Sequence, residues 1–227
     1  MSSIYQQVLG SDFQKLHPQI QKRFGFSSND KIASIGKGIM QSVWYGKLYT
    51  LPFLYVGTWR NIMFPQKGNN VPFTIENYAY KDKFGRETVT WVRKYRFPNQ
   101  ERRFDATMIY SNKRKRIVDY LGTHQHLAVD IEMMVTENGG LNLTSGEQRF
   151  YEGAIGFKFP MLFSGKANVC EWFDDKEQKF KISVVVTNKI WGKLFGYEGT
   201  FDVEYIPVNS MTNIPKNVLP IREEIRE

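Results

Sequence analysis

From Phe73 to Ile206 the chain alternates apolar and polar residues with a period of two, broken by short polar turns. In an extended backbone successive side chains point to opposite faces, so this pattern predicts half-buried strands. Phe73, Ile75 and Ala79 alternate with Thr74, Glu76, Tyr78 and Tyr80, and Asp82-Lys83-Phe84-Gly85 reads as a hairpin turn. Val89, Trp91, Tyr95 and Phe97 form one face of the return strand; Phe104, Ala106, Met108 and Tyr110 form the next, and a short strand follows over 116–121. Leu127, Val129, Ile131, Met133 and Val135 give the cleanest alternation, with Asp130 and Glu132 expected to face water. A turn over 137–140 leads to Leu141 and Leu143, and a loop rich in Gly and Phe is expected over 153–165. Val169 to Phe173 pairs across 174–176 with Ile182, Val184 and Val186, and Phe201, Val203 and Tyr205 close the set. Upstream, 32–44 reads as a strand whose Gly36 and Gly38 signal a bulge or a close backbone approach.

Helical spacing is confined to two places. In the first 25 residues, Ser2 or Ser3 can cap a short helix that Gly10 stops; Pro18 opens a second that Gly25 ends. Leu48, Leu51, Tyr55, Trp59 and Ile62 predict a third over 51–63, with Pro52 in its first turn. The expected fold is therefore α+β and mainly β: a curved antiparallel sheet closing into a barrel or half-barrel, with N-terminal helices and one helix across its mouth. Closure removes the exposed edges that so many strands would otherwise leave. One domain is expected over 1–207, with a mobile or surface-docked tail over 208–227.

Composition refines this picture. At 41% hydrophobic and 15% aromatic residues, the 227-residue chain can bury a sizeable core. The stretch 48–64 is interrupted by Thr50, Thr58, Arg60 and Asn61 and is a poor membrane span. The lone Cys170 excludes an internal disulfide, and with no signal-like start the reading is a cytoplasmic protein. The net charge of +8 raises nucleic acid, an anionic membrane or an acidic ligand as partners, against a plain solvated basic surface.

Candidate chemistry is sparse. His124 and His126, if on one strand face, are a weak metal pair that lacks a third ligand. Asp119, Asp130, Glu147 and Glu152 are not paired by spacing and read as solvent-facing. Cys170 has no adjacent activating group. The basic runs 93–96, 102–103 and 113–116 carry interleaved aromatics but no nucleic-acid recognition motif, so nucleic acid is an unlikely partner. Gly36 and Gly38 lack the rest of a dinucleotide fingerprint, and no cofactor is expected. The segment 157–163 is too apolar for an ordinary solvated loop.

The opening Ile4-Tyr5-Gln6-Gln7-Val8-Leu9-Gly10, with Phe13, Leu16 and Pro18, resembles the start of a bacterial family, domain of unknown function 4166. Trp91-Val92-Arg93 followed by Phe97, Val118-Asp119-Tyr120-Leu121-Gly122, and the stretch from Gly139-Gly140-Leu141 to Gly199 are similar to later parts of it. The resemblance covers about residues 4–206 and implies a soluble bacterial domain, sometimes fused to others such as dehydrogenase-like ones. It carries over no catalytic residues.

The leading expectation is a non-enzymatic module that holds an apolar or amphipathic small molecule in the barrel. Trp59, Met133, Phe157, Phe159 and Phe163 would line the pocket or its mouth, and Arg149, Lys158 and Lys166 would meet an anionic head group. The alternatives are a peripheral domain docking on an anionic membrane or a protein through 157–163, and a metal-dependent enzyme using His124 and His126. The pattern leaves the oligomeric state open.

Overall fold

The computed structural model describes residues 2–160, 164–208 and 214–227. Its strands are β1 (Ile32–Tyr45), β2 (Gly68–Lys81), β3 (Glu87–Phe97), β4 (Gln100–Ser111), β5 (Arg116–Leu121), β6 (Leu127–Val135), β7 (Leu141–Glu152), β8 (Ile155–Lys158), β9 (Lys166–Asp174), β10 (Lys179–Asn188) and β11 (Gly192–Pro207). The order β6-β5-β4-β3-β2-β1-β11-β10-β9-β7 closes through the β6–β7 pair. The result is a ten-strand antiparallel barrel, with β8 as an extra strand hydrogen-bonded to the far end of β7. Residues 155–158 were expected in a loop; β7 runs on to Glu152 and pairs with them across a tight turn.

The inward faces follow the period of two. Val89, Trp91, Tyr95, Phe104, Ala106, Met108, Ile117, Val129 and Ile131 all join one buried cluster. Gly38 sits where an added Cβ would lie 2.0 Å from the Thr200 carbonyl, so the predicted close approach is real there; the bulge falls later, between Met40 and Ser42.

One expectation fails on β6. Glu132 is exposed, but Asp130 is 1% exposed. Arg114 and Arg149 reach it at 2.6 Å each from the barrel's outer surface. The outside of the barrel is thus covered by ion pairs and chain as well as water, which alternation alone does not reveal. Burial pushes the Asp130 carboxyl up, but the hydrogen bonds from Arg114 and Arg149 outweigh it and hold it below the usual range. A pair of variants tests the register. Ile131→Asp places a charge in the core and should lower stability by several kcal/mol, whereas Glu132→Lys on the exposed face should change it by under about 0.5 kcal/mol. Urea melts of the two read the difference.

The helices divide the barrel's two ends. α1 (Ile4–Leu9), capped by Ser3 in a reciprocal box with Gln6, and α2 (Pro18–Phe24) plug the end that carries the β2–β3, β6–β7 and β9–β10 turns. The His17 amide donates to the Gly139 carbonyl at 2.8 Å, the Ser28 amide donates to Glu87 at 2.6 Å, and Trp91 Nε1 donates to the Tyr5 hydroxyl at 2.8 Å. α3 (Leu51–Trp59) lies across the opposite end, the mouth. It stops earlier than the predicted residue 63 because Asn61 turns left-handed, at φ 55°, and the Ile62 amide folds back on the Gly57 carbonyl.

The C-terminal segment is docked on the outer wall. Ile214 and Val218 pack with Val208 on Ala33, Tyr78, Tyr80 and Val92. Beyond them the Ile221 amide donates to the Thr123 carbonyl at 2.8 Å, and the Ser111 hydroxyl donates to the Glu227 carboxylate at 2.5 Å.

Candidate functional site

Between plug and mouth the barrel is hollow. A lower chamber of about 100 Å³ is walled by side chains that include Phe104, Met108, Val129, Ile131, Leu143 and Val184. An upper chamber of about 450 Å³ lies under α3 and is walled by Phe53, Leu54, Trp59, Phe150, Phe159 and Trp191 among others. Ile62, Met63, Leu121, Leu127, Ser164 and Gly165 border both, so the two adjoin along the barrel axis.

Two ionisable groups stand in the wall of the lower, largely apolar chamber, Arg93 on β3 and Asp119 on β5, with Ser145, Gln148 and Ser164 as its other polar side chains. The register sets Arg93 beside Phe104 and Asp119 beside Met108 and Val129, all inward-facing positions. Arg93 Nε donates to the Phe104 carbonyl at 3.0 Å and Nη1 to the Tyr197 hydroxyl at 3.2 Å, while the guanidinium lies 3.9 Å from the Phe104 ring centroid. Asp119 Oδ1 is buried with no hydrogen-bond partner. Burial pushes this carboxyl up to about 7, and the attraction of Arg93 offsets only part of the rise. An unpaired buried carboxyl oxygen is costly, so it is a natural contact point for a polar group inside the cavity.

The residues singled out from the sequence are dispersed. Trp59 and Phe159 line the upper chamber. Phe157 is half-exposed on β8, with its ring 5.4 Å from that of Phe150 and 6.3 Å from that of Phe159. Phe163 lies outside the described residues. Met133 packs on the core below the cavity and does not border it. Arg149, Lys158 and Lys166 belong on the outer face, because they alternate with cavity-lining neighbours. Arg149 is buried there by Asp130, and Lys158 pairs with Glu147 at 2.5 Å. None of the three, expected at the pocket mouth or lining to meet an anionic head group, borders either chamber.

His124 and His126 border the upper chamber from the β5–β6 turn, not from a strand. Their rings stack at 5.7 Å, and His126 Nδ1 lies 2.6 Å from Glu152 and 3.1 Å from Arg222. Burial and the neighbouring Arg60 lower the His124 pKa. Among the described residues, no group of three potential ligands is placed to hold a metal ion. Cys170 is half-buried, with its thiol pKa raised by burial and by Glu171, the opposite of an activated nucleophile.

Sequence reasoning missed the role of Arg93 and Asp119, although a signal existed. Each sits in phase with an apolar inward face: Arg93 between Trp91 and Tyr95, Asp119 between Ile117 and Leu121. An ionisable residue in that phase belongs to the interior.

The fold and cavity define the class: a closed antiparallel β-barrel domain, plugged at one end, with an apolar interior open toward a helix-covered mouth. The chain belongs to the family described as domain of unknown function (DUF4166), whose model matches residues 16–201. It is 34% identical over 204 residues to the uncharacterized protein YndH of Bacillus subtilis (strain 168), covering 90% of this chain and 98% of that relative. No solved structure matches it significantly.

Proposed function

We propose that the protein is a binding module that carries one amphipathic molecule inside the barrel. The observation that carries this reading is the pairing of an apolar two-chamber cavity with a buried, unpartnered carboxyl oxygen in its lower chamber. Apolar pockets that bind small molecules owe affinity to apolar contact and orientation to a few polar groups. The apolar body of the ligand would fill the upper chamber, and a small polar head would reach Arg93 and Asp119. Arg93 is a donor at every accessible pH. Asp119, near its midpoint at neutral pH, accepts from a hydroxyl when ionised and donates to a carboxylate when protonated. A long-chain alcohol or carboxylic acid satisfies both partners.

The test is titration with a dansylated long-chain fatty acid. Delipidated wild type should bind it with a blue-shifted emission. Val129→Trp, which fills the lower chamber, should weaken binding at least about tenfold while the protein still melts cooperatively, a difference of about 1.4 kcal/mol or more. Equal affinity in the two proteins would remove the cavity as the binding site.

A further inference from the structure

The mouth surface carries an inference of its own, which extends the proposed function by naming where a ligand is loaded. We propose that the mouth docks on an anionic lipid bilayer, with α3 seated at the headgroup level.

The first observation is the composition and placement of α3. Its sequence, LPFLYVGTW, contains no charged residue, and only Leu54 and Gly57 are buried. A surface helix ordinarily turns a polar face outward; this one exposes Tyr55 and, at the rim of the upper chamber, Val56 and Trp59, the last at 78% exposure. Leu48, at 75%, precedes the helix, and Ile190, at 62%, extends the apolar surface onto the β10–β11 turn. The Phe53 and Trp191 rings, 4.8 Å apart, join that turn to the helix. A contiguous exposed apolar patch marks an interaction surface, and exposed Trp and Tyr suit the level where a bilayer meets water.

The second observation is charge, and it selects an anionic bilayer over a second copy of the chain. Among the described residues, the segments between strands that form the mouth are 46–67, 98–99, 122–126, 153–154, 159–160, 164–165 and 189–191. They contain Lys47, Arg60, Lys67 and Lys189 and no Asp or Glu. The turns at the plugged end mix the two signs, with Asp82, Glu137, Asp175 and Glu177 standing among Lys83, Arg86, Lys113, Arg114, Lys115 and Lys176; the mouth segments carry cations alone. Two carboxylates lie against the 122–126 turn, Glu152 of β7 and Glu224 of the docked C-terminal segment; Glu152 is engaged by His126, and Glu224 by Arg222 and Arg226. Two mouths facing each other would bring like charges together, whereas an anionic surface complements the ring; each such cation contributes to attraction near the surface and is screened by salt. The cavity opens beneath this same helix, so a docked barrel would present its interior to the lipid phase.

Cosedimentation with phosphatidylcholine vesicles, with and without phosphatidylglycerol, tests this on the full chain. Wild type should bind the anionic vesicles at least about tenfold more tightly than neutral ones, and high salt should abolish the difference. Lys47→Glu with Lys189→Glu should remove the preference, and Leu48→Ser with Tyr55→Ser and Ile190→Ser should remove binding. None of these five side chains borders the cavity, so uptake of the dansylated fatty acid from solution should be unchanged in both variants. Wild type that ignores both kinds of vesicle yet takes up the fatty acid would overturn the docking surface and leave the proposed function standing. A dimer dissociated by the apolar triple variant, without vesicle binding, would also overturn it in favour of a second copy.

Discussion

Arg23→Met is expected to lower the unfolding free energy by about 3–5 kcal/mol, a large part of the stability of a domain this size. Arg23 projects from α2 into the plugged end, 2% exposed, and its guanidinium pairs with Glu171 of β9, which is wholly buried. Nη1 also donates to the Ser34 hydroxyl at 2.8 Å, and the group lies 5.0 Å from the Phe201 ring centroid. The methionine fills the same space but leaves a carboxylate without its cation. Burial already pushes the Glu171 pKa up despite Arg23. In the variant that rise is larger, so the folded-state pKa stands further above that of the unfolded chain. Stability held by the protonated form is present at acid pH and lost as pH rises through the folded value. The deficit of Arg23→Met should therefore shrink on acidification toward pH 4. The double variant Arg23→Met with Glu171→Met should recover most of the loss at neutral pH. Urea unfolding at several pH values reads all three outcomes; a deficit independent of pH would show that packing, not the orphaned charge, sets the effect.

Asp119→Asn should flatten the pH dependence of stability. The wild-type carboxyl is raised from 3.8 to about 7 in the folded state. The stability that its protonated form contributes is full below about pH 4 and is lost as pH climbs through about 7. A shift of this order corresponds to about 2–4 kcal/mol between pH 4 and pH 8. Asparagine keeps the shape and does not titrate, so wild type minus variant should change by that amount over the interval, falling as pH rises. Any fixed penalty from burying the amide cancels in this difference. A parallel pair of stability curves would place Asp119 in a solvated setting and remove it from the cavity wall.

Most of the barrel was legible because its strands bury one face. Phe104, Ala106, Met108 and Tyr110, or Val129 and Ile131, announce an interior by period alone. What the period hides is the other face. Asp130 alternates as a solvent residue should, yet Arg114 from the β4–β5 turn and Arg149 from β7 close over it. The C-terminal segment likewise covers Val92 and Tyr80 by contacts that no local pattern encodes. The helix across the mouth was visible in the spacing of Leu51, Tyr55 and Trp59, whereas its end depended on a left-handed Asn61.

The candidate site was less legible for a related reason. Arg149, Lys158 and Lys166 drew notice as charges near aromatics, but a one-residue offset sends each to the outside. Arg93 and Asp119, read as part of a basic run and as a solvated carboxylate, are the charges in phase with the interior. Trp59 and Phe159 were found because aromatic residues outside strands need a surface to cover, and the mouth provides it.

The central claim is that the barrel interior is a binding cavity, and native mass spectrometry of the freshly purified protein tests it most directly. The wild type should carry a single noncovalent adduct that solvent extraction identifies as an amphipathic lipid, or should take up palmitate at one per chain after delipidation. Val129→Trp should carry none. Bare wild-type protein before and after palmitate addition would contradict it.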